Sequence, residues 1–527
     1  MAKSVPEHPT IEEPTVPAPA VMPEPVESVA EVVPVQVAAP APVTETAPTP
    51  PRHLPPIDMT VPGEPSPALH FGIAMRGRRL ETIRHWLFRG AVATVVLVLA
   101  IGGLLVAQGY IKLHKAFHGG AAPVAALQAN VNPNLLKGEG DGRINVLLLG
   151  RGGGDHEGPD LTDTIMVASI DPVNHTESLI SVPRDLWVDI PDQGVMKVNA
   201  AWETGEFNYL GKVAPGSTNS QAIQAGFQEV DQVVEGVLGI TIHYNMIVDF
   251  QAFQQAVDTV GGVTIDVKTP LVDPTMAWEN HGDPVLASAG VHHFSGHTAL
   301  IYARSRETSS DFARSQRQRQ LLLALKAKAE SLGTLSNPLK ISGLINSFGN
   351  NVASDLSISE ASRLYSIVKQ VSDGNTKSVG LADGSNHYIT TGNMNGQSID
   401  LPTAGLFNYH AIQAYIRTQL PDGFILKEHA PILVLNGTDQ AGLATTTSKK
   451  LKSYGYNIIG AADAPTGDYA QTTVIDLSHD QNKYTAHYLE QRFNTHTVNK
   501  LPDSQIKSKG AAFVIIVGSD ATTSSQT

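Results

Sequence analysis

The run Gly90–Ile111, GAVATVVLVLAIGGLLVAQGYI, constrains this chain more than any other stretch, because it is apolar and carries no charge. Roughly 20 such residues cross a bilayer as a helix, so the run predicts a transmembrane helix that divides the chain between two compartments. Arg76, Arg78, Arg79, Arg84 and Arg89 precede it, whereas only Lys112 and Lys115 follow closely. That asymmetry predicts a single-pass cell-membrane protein with its N-terminus in the cytoplasm and everything after Ile111 extracytoplasmic. A cleavable signal peptide fits poorly, since the run lies far from the N-terminus and is too long for an h-region.

Before the run, residues 1–75 are dominated by Pro, Ala, Val and Glu, with no basic residue between Lys3 and Arg52. The tail shows no helical or strand period and is predicted to be a disordered cytoplasmic segment. The basic flank and the spanning helix take up 76–111, and a Gly/Ala/Asn/Pro-containing linker follows over 112–142. The rest of the 527 residues is long enough for more than one domain. A net charge of −13 argues against a general nucleic-acid binder, which needs an excess of basic surface. The absence of cysteine excludes thiolate metal sites and disulfide redox chemistry.

Strand-length apolar runs open the large extracytoplasmic part. INVLLL at Ile144–Leu149 ends in a glycine-rich loop, GRGGGDHEGPDLTDT, and Ile165–Ile170 and Glu177–Val182 follow as further strands. Helical spacing over Gln221–Leu238, a strand-then-helix pattern over Met246–Val260 and a short strand at Val263–Val267 complete an alternating series. Strands alternating with helices predict a three-layer α/β/α-like sandwich with a mixed sheet, assigned to 143–420 with its core motifs in 143–330. A second, smaller α/β domain is predicted over 430–520, followed by a frayed tail at 521–527.

Within the glycine-rich loop, Asp155, Asp160 and Asp163 gather with His156 on backbone that can approach a ligand closely. Carboxylates of this kind suit a hard divalent cation such as Mg²⁺, although Asp and Gly are also ordinary turn residues. Arg184 sits behind Pro183 at a strand end, where ligands of α/β folds collect, and Lys197 follows in KVNAAW. The densest cationic stretch is Tyr302–Gln320, YARSRETSSDFARSQRQRQ. Read as a strand end or turn running into a helix, it sends Arg304 and Arg306 from one face of an extended segment. Arg314, Arg317 and Gln318 then form a polar helical face. Guanidinium forks match phosphate oxygens, so the stretch points to an anionic ligand; a solvated or ion-paired helix start is the alternative reading.

Seven motifs in this order resemble the LytR-CpsA-Psr family of membrane-anchored cell-wall ligases. They are NVLLLG at Asn145–Gly150, TDTIMVASI at Thr162–Ile170, SVPRDLWV at Ser181–Val188, VNAA at Val198–Ala201, VDF at Val248–Phe250, VGGV at Val260–Val263, and YARSR with DFARSQRQ. The smaller domain looks like the LytR C-terminal domain attached to that family. The resemblance implies a phosphotransferase that takes a glycan from a polyprenyl-pyrophosphate carrier and joins it to peptidoglycan through a phosphodiester. It also implies Mg²⁺ held by aspartates, arginines on the pyrophosphate, and an apolar cavity for the lipid tail. Carried over by position, the family's motif aspartate falls on Asp163 and its arginines on Arg184, Arg304, Arg306, Arg314 and Arg317, with Gln318 beside them. Lys197 becomes a further phosphate contact, and Asp311 the group that activates the acceptor hydroxyl.

Two positions depart from the family pattern. Leu161 stands where an arginine is usual, and Gly152 where an aspartate is usual, so Asp155 or Asp160 would have to supply the second metal-binding carboxylate. The same departures motivate an alternative, a module that binds polyprenyl phosphate or wall polymer without turnover; a second alternative is a polyprenyl-pyrophosphate hydrolase, which would use the same arginines but admit water in place of a glycan hydroxyl.

Overall fold

The computed structural model describes residues 124–523 apart from 155, 157, 213–218, 307–310, 332–350 and 383–386. The predicted tail at 1–75 and the predicted transmembrane helix lie outside the described residues. Among those described, no helix is long and apolar enough to cross a membrane.

A six-stranded sheet organises the larger part. INVLLL becomes β1 (Ile144–Arg151), which pairs antiparallel with β2 (Thr162–Asp171) and parallel with β4 (Tyr244–Asp249). β3 (Thr176–Ser181) lies antiparallel beside β2. β5 (Val352–Ser354) closes the β4 edge antiparallel, and β6 (Thr376–Gly380) closes the β3 edge parallel. The sheet is therefore mixed, in the order β5-β4-β1-β2-β3-β6. β1 reads as an unbroken apolar run because both of its faces are covered. On one face Leu147, Leu149, Ile165, Val167 and Ile180 pack against Phe227, Val230 and Val234 of α2 (Asn219–Leu238) and Ile412 and Ile416 of α7 (His410–Gln419). On the other, Val146, Met166, Ala168 and Ile170 meet Leu322 and Leu323 of α5 (Asp311–Ser331) and Ile367 of α6 (Ile358–Val368).

α1 (Ala201–Lys212) approaches α2 closely enough to bury Trp202 completely. Gly226 makes this possible: a Cβ there would lie 2.7 Å from the indole Nε1 and 2.9 Å from the Trp202 carbonyl oxygen. α3 (Phe250–Thr259) begins where β4 ends, its N-terminus capped by Asp249, whose carboxylate accepts from Ala252 N–H.

The stretch around Tyr302 corrects the sequence reading. Gly296–Arg304 is a helix, α4, with Ser295 accepting from Thr298 N–H at its start and Ser305 following its end. Arg304 therefore leaves a helix terminus, not an extended strand. The region after 340 also contains a β-hairpin of Ile389–Met394 and Gln397–Pro402 that the sequence reading did not separate.

A second, four-stranded sheet has the order β8-β7-β10-β9. It is built from β7 (Pro431–Asn436), β8 (Asn457–Asp463), β9 (Thr473–Asp476) and β10 (Phe513–Val517). α8 (Gly423–Glu428), α9 (Leu443–Ser453) and α10 (Lys483–Phe493) pack against it.

Residues 124–142, expected as a linker, are packed against both cores. Val124, Ala126 and Leu127 sit with β1 and β2, whereas Val131 and Leu136 complete the core around Ile432, Val434 and Tyr488. Asp422, almost fully buried, fastens this strap: one carboxylate oxygen accepts from Gly140 N–H, Gly142 N–H and Tyr488 O–H at 3.1, 2.9 and 2.9 Å. The other accepts from Phe424 N–H and Ile425 N–H, capping α8. Next to these glycines, Glu139 accepts from Tyr456 O–H and Arg492 Nε.

Candidate active site

A cavity of about 1090 Å³ opens between the sheet, α3, α4 and α5. Its interior is apolar, lined by Leu148, Met166, Met246, Phe253, Leu321 and Leu325 among others. Arg184, Arg304, Arg306 and Arg314 join the lining together with Asp163, Asp185, His156 and Gln318. The cavity thus combines a hydrocarbon-like lining with a cluster of guanidinium groups, which suits an amphiphile with an anionic head.

These side chains come from the loop after β3, from the end of α4 and the loop after it, from the loop leading into β2 and its start, and from the first turns of α5. Arg184, just past β3, donates through Nη1 to Asp163 Oδ1 at 2.5 Å and through Nε to Asp185 Oδ2 at 3.3 Å. Asp163 lies at the start of β2 and also accepts from Asn199 Nδ2 at 3.4 Å. Arg314, on the first turns of α5, donates through Nη2 to the Asp163 carbonyl at 3.4 Å. Arg306 donates its backbone N–H to Asp273 Oδ2, and its guanidinium approaches Asp185 Oδ2 at 3.9 Å. Ser305 Oγ donates to the same Asp273 oxygen at 2.7 Å, so this buried carboxylate fixes the chain just after α4. Arg304 donates through Nη1 to both carboxylate oxygens of Glu279, at 2.9 and 2.8 Å, and its guanidinium lies 4.8 Å above the ring of Phe250.

The predicted site residues separate into those the fold gathers and those it sends elsewhere. Asp163, Arg184, Arg304, Arg306, Arg314 and Gln318 all line the cavity. Arg317 does not: it is buried, and donates through Nε to the Tyr302 carbonyl and through Nη2 to the Ser305 carbonyl, holding the end of α4. Burial pushes its pKa down. Lys197 pairs with Asp185 at 2.7 Å behind the arginines and is not part of the lining. Asp160 is paired with Arg151 at 2.7 Å and is also outside the lining. Asp155 lies outside the described residues; Asp311 is the first residue of α5, with its side chain likewise outside them. Leu161 packs on the loop, where a Cβ at Gly158 would come within 2.9 Å of its Cδ1.

Sequence reasoning passed over Asp185, Glu279, Asp273 and Asp249. Asp249 lines the cavity, and burial raises its pKa against the opposing Ala252 N–H and the Arg151 charge. Adjacency to Arg184 was the available signal for Asp185; Glu279 and Asp273 offer none, since their partners are brought in from 25 or more residues away. Among the described residues no group of three or more His, Asp or Glu side chains is placed to enclose a metal ion. Magnesium often takes only one or two protein carboxylates and completes its shell with substrate phosphate oxygens, and Asp163 fits that use.

Comparison with known proteins now has a site to refer to. Residues 110–399 match the LytR_cpsA_psr family, and residues 429–520 match the domain described as LytR cell envelope-related transcriptional attenuator. The chain is 27% identical over 457 residues to the cell wall biosynthesis protein LcpA of Corynebacterium glutamicum, covering 76% of this chain and 82% of LcpA. It is 25% identical over 299 residues to the polyisoprenyl-teichoic acid–peptidoglycan teichoic acid transferase TagT of Bacillus subtilis, covering 56% of this chain and 85% of TagT. A crystal structure of B. subtilis TagT superposes with a TM-score of 0.41 at 22% identity, over 58% of this chain and 99% of that one. The family match spans more than half of the sequence and contains the cavity with its arginines: the chain belongs to the LytR-CpsA-Psr family and carries a LytR-type C-terminal domain.

Proposed function

We propose that this chain is a membrane-anchored phosphotransferase that moves a glycopolymer from a polyprenyl-pyrophosphate carrier to peptidoglycan through a phosphodiester bond. The observation that carries this reading is the single cavity that joins an apolar interior to Arg184, Arg304, Arg306 and Arg314. A polyprenyl tail is a hydrocarbon and its pyrophosphate an anion, so the two ends of the carrier match the two linings. The curated names of the relatives LcpA and TagT, a cell wall biosynthesis protein and a teichoic acid transferase, point the same way. The apolar run Gly90–Ile111 supplies the anchor, with the cavity-bearing part on the extracytoplasmic side.

In the proposed reaction a hydroxyl of the wall acceptor attacks the phosphorus that bears the glycan. A new P–O bond forms, the anhydride P–O bond breaks, polyprenyl monophosphate leaves, and the hydroxyl proton passes to a base, for which Asp311 at the start of α5 is our choice. Arg304, Arg306 and Arg184 neutralise charge on the transferred and leaving phosphates, the dominant requirement in phosphoryl transfer. Mg²⁺, held by Asp163 together with substrate phosphate oxygens, would add charge neutralisation at those oxygens.

The test supplies the full chain in detergent with a polyprenyl-pyrophosphate oligosaccharide and peptidoglycan fragments, with and without Mg²⁺, and weighs the products by mass spectrometry. A glycan-phosphate adduct on the wall fragment, lost in Arg304→Ala and Arg306→Ala, is the expected result. Lipid monophosphate without an adduct would replace the ligase by a hydrolase, and lipid bound but unchanged would leave a carrier-binding module.

A further inference from the structure

We propose that His156 is a positioning residue that fixes the orientation of Arg304 toward a pyrophosphate. The proposal rests on the reading that Arg304 binds that group. Arg304 Nη2 lies 3.2 Å from His156 Nε2, across 148 residues of sequence. A guanidinium has only donors, so in this contact the imidazole nitrogen is the acceptor. The ring stands edge-on to Phe250, with centroids 5.1 Å apart and planes at 84°, and the same Phe250 carries the Arg304 guanidinium on its face. Glu279 holds Nη1 from the opposite side. The guanidinium is thus fixed at Nη1, at Nη2 and over its plane, which leaves little freedom for a side chain whose rotamers are otherwise loose.

Position 152 makes this arrangement possible. A Cβ at Gly152 would lie 2.8 Å from His156 Nδ1 and 2.9 Å from its Cγ, closer than any real contact. A side chain at 152 and the imidazole ring in its present seat would exclude one another, so the glycine admits the imidazole. The glycine at 152 thereby lets His156 help hold the Arg304 guanidinium in the cavity lining.

Inorganic pyrophosphate is the probe, titrated by calorimetry into the full chain in detergent. Thermal unfolding serves as the check on folding. Arg304→Ala is expected to weaken binding. His156→Leu, which keeps bulk but has no acceptor, is expected to weaken it about tenfold, the usual scale for one lost hydrogen bond to a charged group. His156→Gln, which offers an amide oxygen, should recover most of that loss, and Gly152→Ala should reproduce it with His156 still present. The double variant His156→Leu with Arg304→Ala should be no weaker than Arg304→Ala alone, because the two side chains act as one unit. An unchanged affinity in Arg304→Ala would overturn the reading of the site. A loss in Arg304→Ala with none in His156→Leu, or losses that simply add in the double variant, would overturn the role given to His156 alone.

Discussion

Replacing Asp422 by asparagine tests whether the strap over 124–142 is an integral part of the fold. The carboxylate is almost fully buried and accepts five hydrogen bonds, three on one oxygen and two on the other. An amide has a single oxygen and adds two N–H donors. Whichever way it turns, it leaves either the Gly140, Gly142 and Tyr488 donors or the Phe424 and Ile425 donors facing another donor. Each buried donor left unpaired costs about 1–3 kcal/mol, so two or three of them give a loss on the order of 4 kcal/mol. Asp422→Ala removes the acceptors for all five and the α8 cap besides, and should cost still more. Urea unfolding of the full chain in detergent, followed by far-ultraviolet circular dichroism, reads the difference. Asp141→Asn, on the same strap but less buried, provides the control. A midpoint for Asp422→Asn indistinguishable from wild type would mean that the strap is not held by this carboxylate.

Burial, together with the negative Asp355 and Glu235, raises the Asp231 pKa to about 7 against the opposing Asn245 hydrogen bond. The folded state therefore holds a proton that the unfolded state releases near pH 4, so stability from this group falls as pH rises from about 4 to 7 and is level above that. Asp231→Asn should remove the decline, a difference on the order of 2 kcal/mol after allowing for partial exposure; parallel unfolding curves of the two proteins across that range would contradict it. Gly226→Ala should cost about 1–3 kcal/mol, because the new methyl meets Trp202 backbone as well as its indole; an unshifted thermal midpoint would show that α1 can move aside at no cost. Arg304→Ala should slow glycan transfer about 10²–10³-fold with the fold intact, measured by product formation, and a wild-type rate would exclude it from the reaction. Chelation by EDTA should abolish transfer and readdition of Mg²⁺ restore it; activity that survives chelation would count against a metal role for Asp163.

The parts of the fold that were legible in the sequence are those where local pattern and tertiary environment agree. β1 announces itself because a strand covered on both faces is an unbroken apolar run, β2 and β3 through the apolar stretches Ile165–Ala168 and Leu179–Ile180, and the 430–520 strands and helices through similar runs. α4 was misread although Ser295 marks its start, because the recurring arginines after it drew the eye to an extended segment. The arginines of α5 show why composition alone does not give a site. Arg314 and Gln318, four apart, share the cavity face, whereas Arg317 lies about 60° away from Arg314 around the axis and turns to the end of α4. Arg319 turns to Ser181 on β3 and Ser378 on β6. Glu279 and Asp273 hold Arg304 and the chain after it from a distant loop, a relation that no local spacing encodes.

The strap also sets an order of events. Val131 and Leu136 share a core made chiefly of residues beyond Asp422, about 280 positions later. As the chain is made, these side chains lack most of this core until residues 424–517 have emerged, and the long ring they close carries the entropic cost of its length. A protein cut after residue 420 would keep the arginines but leave the strap without its partner, and one begun at residue 143 would leave a gap in the core of the far domain. The two domains are thus separate in sequence but joined through the strap, whose residues belong to both cores.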